Sequence, residues 1–77
     1  MNDDATKDKI EKTKIKVKVF YENGIPVHIV LNDRFWRNGP IVSVEEEFFK
    51  IDDRKNGVNT IFYFDVFDVR ELEARVE

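Results

Sequence analysis

The chain has no cysteine, a single histidine, a single serine, three glycines and two prolines in 77 residues. Without cysteine it forms no disulfide and offers no thiolate to a metal. That absence fits a reducing compartment. One histidine cannot build a histidine cluster within one chain. One serine, Ser43, stands between valines on a candidate strand with no nucleophile elbow around it, which argues against a Ser-based triad. The three glycines are isolated turn residues, so no glycine-rich phosphate loop is present. No stretch reaches the roughly 18 apolar residues of a membrane-spanning helix. The opening Met1-Asn2-Asp3-Asp4 is acidic and polar, unlike a secretory leader. A cytoplasmic protein without membrane contact is expected by default.

Net charge is small, -3, but unevenly placed. Residues 1–18 carry six lysines against four acids, and residues 19–77 carry seven Arg/Lys against twelve acids. A general nucleic-acid binder usually has a basic field, because neutralising phosphates supplies most non-specific affinity. This chain has none overall, which leaves only a local basic face. A domain this small buries roughly 60% of its unfolded surface and has a thin margin of stability. Association with further copies is the support left to it.

Residues 1–13 are polar and charged, with Ile10 the only large apolar residue after Met1, and suit a frayed or weakly helical segment. Residues 14–77 are expected to form one domain. Within them, 14–22 supports two readings. Ile15, Val17, Val19 and Tyr21 alternate with Lys14, Lys16 and Lys18 in a strand period, leading into an Asn23-Gly24 hairpin turn. Alternatively, Ile10, Val17, Phe20 and Tyr21 share one helical face, closed by Gly24 in a left-handed conformation with Pro26 beyond it. β-branched residues favour the strand.

Beyond Pro26 the punctuation is clearer. Strands are expected at Val27–Leu31, Ile41–Val44, Phe48–Asp52, Thr60–Phe64 and Asp68–Leu72. Residues 33–40 read as a polar turn, Glu45-Glu46-Glu47 as an acidic turn, and residues 53–57 as a hairpin loop in which Gly57 supplies positive φ. Asp65-Val66-Phe67 suits one 3₁₀ turn. Five short strands with tight turns predict an all-β fold, a small five-stranded barrel.

Gly39-Pro40-Ile41, Val44-Glu45 through Phe48-Phe49-Lys50-Ile51, and Val66-Phe67-Asp68-Val69 resemble the marks of the Sm-like (LSm) family, within the wider class of small SH3-like barrels. The resemblance spans about residues 26–72. It implies a helix before the first strand, which supports the helical reading of 10–22. It also implies homo-oligomeric rings closed by pairing the fourth strand of one subunit with the fifth of the next. The RNA-contacting motifs of that family are missing or rebuilt. Glu45-Glu46-Glu47-Phe48-Phe49 lacks the family's Asn, and Tyr63-Phe64 stands where an Arg-Gly would precede the last strand.

Two groups of residues carry the functional expectation. Arg34, Phe35, Trp36, Arg37 and Asn38, joined by Arg54 and Lys55 on the next loop, interleave aromatics with cations. That pattern suits base stacking with phosphate pairing, and equally a protein hot spot. The plainer alternative is that Phe35 and Trp36 cap the end of the barrel while the cations are solvated. The stretch 60–70 is apolar on both faces, so Ile61, Phe62, Phe64, Val66, Phe67 and Val69 are expected at a contact between copies. Asp52-Asp53 and the three glutamates read as solvated turns, without the spacing of a calcium loop. His28 points away from the face that Val27 and Ile29 share. The lysines at 7, 9, 12, 14, 16 and 18 read as a solvated face. The expected function is a non-enzymatic module, without cofactor, that forms a homo-oligomer and binds RNA. The alternative is an SH3-like module that binds another protein and no nucleic acid.

Overall fold

In a computed structural model describing residues 3–72, the chain forms one helix, six strands and one 3₁₀ turn. Helix α1 spans Asp3–Glu22, so it runs through the boundary expected at residue 13. Of the two readings of 14–22, the helical one holds. Val17 faces the core fully buried, with Ile10 and Phe20 packed beside it, while Ile15 and Val19 of the strand-like alternation are exposed. A double hydrogen bond closes the helix. Ile25 N donates to Phe20 O (2.9 Å) and Gly24 N to Tyr21 O (3.1 Å), with Gly24 at φ +65°. This is the Schellman pattern, and Pro26 prevents continuation.

The strands are β1 (Val27–Leu31), β2 (Trp36–Gly39), β3 (Ile41–Val44), β4 (Phe48–Asp53), β5 (Gly57–Phe62) and β6 (Val66–Glu71). The 3₁₀ turn η1 is Tyr63–Asp65, two residues earlier than expected. Residues 36–39, expected as turn, are a strand paired antiparallel with β1 from Val27↔Gly39 to Val30↔Trp36. The all-β expectation is therefore corrected. The fold is α+β, and among the described residues its strands form two three-stranded antiparallel sheets, β2-β1-β6 and β3-β4-β5, which do not close into a five-stranded barrel. Alternating short strands predict half-buried sheets well, but they do not specify how many sheets share the strands.

The chain passes between the sheets at Gly39-Pro40. There Asp52 N donates to Pro40 O (2.9 Å) and Arg54 N to Asn38 O (3.0 Å), tying β4 to the crossing. The core lies between the sheets and under α1. It contains Val17, Val27, Ile29, Ile41, Phe49, Ile51, Ile61, Tyr63, Val66 and Val69. Phe49 stacks on Tyr63 at 5.4 Å between ring centroids. The Tyr63 hydroxyl donates to Glu45 O (2.9 Å). Burial, with Glu45 and Glu46 nearby, pushes its pKa up to about 12, so it remains a donor in neutral solution.

Candidate functional site

The seven residues expected to form a contact surface line one groove of about 380 Å³. That volume lies within the rough 300–1,000 Å³ range of small-ligand clefts. One wall is the β1–β2 turn with the start of β2, carrying Arg34, Phe35, Trp36, Arg37 and Asn38. The other is the end of β4 with the β4–β5 loop, carrying Asp53, Arg54, Lys55 and Asn56.

The first wall is built by a three-residue turn. Leu31 N donates to Phe35 O (2.8 Å), Arg34 N to Leu31 O (2.9 Å), and Phe35 N to Asp33 Oδ1 (3.1 Å). Arg34 sits at φ +78°, the one non-glycine residue with positive φ among those described. A turn of this kind ends on a left-handed residue and favours glycine there. An arginine in that conformation carries strain, a feature that points toward function more often than toward stability. Phe35, at the end of the turn, and Trp36, the first residue of β2, are 63% and 58% exposed, so neither ring is packed into the core.

Behind Trp36, β1 supplies His28. Its ring lies 6.1 Å from the Trp36 ring, tilted by 44°, and its Nδ1 shares a hydrogen bond with Asn38 Oδ1. His28 does point away from the core, but it is half-buried against the groove's wall rather than a free strand histidine.

The second wall depends on Asp53, expected as a solvated turn residue and in fact buried. Its Oδ1 accepts from Asn38 N (2.9 Å), and its Oδ2 from Lys55 N (3.1 Å), Asn56 N (2.9 Å) and Asn56 Nδ2 (3.0 Å). Burial pushes its carboxyl up, but the N–H groups of Asn38, Asn56 and Lys55 more than offset this, so its pKa lies below the ordinary value. Sequence reasoning placed Asn56 on the loop beside Arg54 and Lys55 and Asp53 in a solvated turn, and missed the hydrogen bonds that join them. The available signal was an Asp opening a tight loop, where its side chain accepts from the following amides.

Among the described residues, ion pairs join Lys12 to Asp8, Lys14 to Glu46 and Arg70 to Asp68, and none involves Arg34, Arg37, Arg54 or Lys55. Arg37 instead donates through Nη1 to Trp36 O (2.9 Å). Four cations that make no ion pair among the described residues thus line the same groove as two exposed rings, with the buried Asp53 lining it too. No group of three or more candidate metal ligands occurs among the described residues.

The stretch expected at a contact between copies divides in two. Ile61, Val66 and Val69 are 2–4% exposed and belong to the chain's own core, so they are not free to touch another copy. Phe62, Phe64 and Phe67 are 38%, 61% and 63% exposed. Phe62 and Phe64 continue a row begun by Phe48, with centroids 5.5 Å apart at each step. Lys9 Nζ lies over the Phe67 ring at 5.4 Å. β5 and β6 are edge strands of their sheets. No helix among the described residues is long and apolar enough to cross a membrane. No protein-family model matches the chain, and no curated protein matches it.

Proposed function

We propose that this chain is a non-enzymatic binding module that takes single-stranded RNA in the groove around Trp36 and assembles with copies of itself. The observation that carries the proposal is that Arg34, Arg37, Arg54 and Lys55, which make no ion pair among the described residues, line the same groove as the exposed rings of Phe35 and Trp36. Aromatic faces accept any base by stacking, and the cations accept the phosphates between them. The strained Arg34 supports the same function, since a glycine would fit its turn at lower cost.

Anisotropy of a labelled oligo-U tests this. Replacing Trp36 with alanine removes a stacking surface of about 1–3 kcal/mol and weakens binding by roughly 5- to 150-fold. Arg34→Gly weakens binding while leaving the melting temperature unchanged or higher, because the turn is relieved of about 1–2 kcal/mol of left-handed strain. Wild-type affinity unaffected by either change would refute the groove as the RNA site. If an acidic peptide bound there and oligo-U did not, the protein-interaction alternative would stand in its place.

Assembly is assigned to the edges of β5 and β6, where Phe62, Phe64 and Phe67 present apolar surface beside unpaired strand backbone. Light scattering should give a mass of several protomers for the wild type. Phe64→Glu should return it toward the monomer, with the fold retained because Phe64 is outside the core. A wild type that is monomeric at all concentrations would contradict assembly.

A further inference from the structure

We infer that Asp53 is the joint that sets the width of the groove, a positioning residue that holds Arg54 and Lys55 opposite Trp36. Its part in binding rests on the RNA-binding function proposed above. The joint itself rests on geometry alone.

The two walls belong to different sheets, β2 to one and β4 to the other. Backbone bonds from Asp52 N to Pro40 O and Arg54 N to Asn38 O tie the end of β4 to the crossing, but among the described residues no backbone bond joins the loop beyond Arg54 to β2. Asp53 spans the gap between the walls with one oxygen for each. Oδ1 takes the amide of Asn38 on β2, and Oδ2 takes the amides of Lys55 and Asn56 and the Asn56 side chain on the loop. Arg54 and Lys55 are exposed, and their side chains make no ion pair among the described residues. Their backbone is what the joint holds. Only a carboxylate supplies two acceptor oxygens at this point. An asparagine has one oxygen and one NH₂, so it must turn a donor toward one of the two walls. Arg54 N to Asn38 O would then be the bond left between the loop and β2, and the loop's cations would shift relative to Trp36 and Arg37.

A double-mutant cycle separates this from a purely structural role. Oligo-U affinity is measured for the wild type, Asp53→Asn, the pair Arg54→Ala/Lys55→Ala, and all three changes together. Amide exchange is followed by ¹H–¹⁵N spectra of the wild type and Asp53→Asn. If the joint sets the loop, the alanine pair weakens binding about tenfold in the wild type and about twofold in the Asp53→Asn background, a coupling of about fivefold. Protection is lost at Asn38, Lys55 and Asn56 and retained elsewhere. Equal losses in both backgrounds, or an Asp53→Asn protein that binds like the wild type, would overturn the inference. Should Asp53→Asn fail to fold, Asp53→Ser enters the same cycle, since its single hydroxyl oxygen can serve one wall but not both. If the wild type binds no oligo-U, RNA binding fails and the spectra judge the joint by themselves. Lost protection confined to Asn38, Lys55 and Asn56 sustains it, and unchanged protection overturns it.

Discussion

Gly39→Ala is expected to lower the melting temperature by roughly 12 °C or more. Gly39 is the buried last residue of β2, where the chain leaves one sheet for the other. A Cβ there would lie 2.0 Å from Asp52 O and 3.0 Å from Asp52 C. Both are backbone atoms, and Asp52 N is itself bonded to Pro40 O, so neither side can give way. Forced overlap of this kind belongs with the large point-mutant effects, roughly 3 kcal/mol or more. In a domain of this size each kcal/mol moves the melting temperature by about 4–8 °C. Circular dichroism melts check it against Gly24→Ala, where nothing lies within 4 Å and only the left-handed conformation is penalised, by about 1 kcal/mol. If the two variants melted together, the sheet crossing would not be as close as described.

Phe49→Ala is expected to cost about 3–5 kcal/mol, the range for deleting a fully buried ring. Phe49 is 0% exposed, lies on β4 at the middle of its sheet, and stacks on Tyr63. A chain of this length has a total stability of about 4–12 kcal/mol, so the variant would be near the limit of folding. Urea unfolding at fixed protein concentration measures the loss, with the slope compared to confirm that the same surface is exposed. A loss below about 1.5 kcal/mol would mean that Phe49 does not occupy the core.

Several elements could be read from the residues because their alternation matched their burial. Val27 and Ile29 on β1, and Phe49 and Ile51 on β4, are core positions that a period of two picks out. The helix was ambiguous because Ile15, Val17 and Val19 imitate a strand, although only Val17 is buried. What separates the readings is the Gly24-Pro26 closure. β2 was illegible for a different reason. It is a four-residue edge strand, Trp36-Arg37-Asn38-Gly39, whose one buried member, Gly39, has no side chain to register as apolar. The stretch 60–70 looked apolar on both faces because η1 shifts its phase. Ile61, Tyr63, Val66 and Val69 turn inward, and Phe62, Phe64 and Phe67 turn outward.

The groove was partly legible. Arg34 to Asn38 form a local cluster, and Arg54 and Lys55 stand out as cations on a loop. That the two segments face each other follows from the Gly39-Pro40 crossing and the Arg54 N to Asn38 O bond, with Asp53 bonded to both, and these are tertiary facts. An aspartate beside Asp52 at a loop reads as solvated until four N–H donors are seen to converge on it.

Trp36 is the only tryptophan in the chain, so its emission reports on the groove alone. The most direct measurement is a titration of the wild type with oligo-U, following Trp36 fluorescence over a series of salt concentrations. RNA binding in the groove predicts saturable quenching. It also predicts a logarithmic salt slope of about -2 to -3, as expected if four cations neutralise phosphates of a single strand. Unchanged Trp36 emission at low salt, with the protein folded, would contradict it.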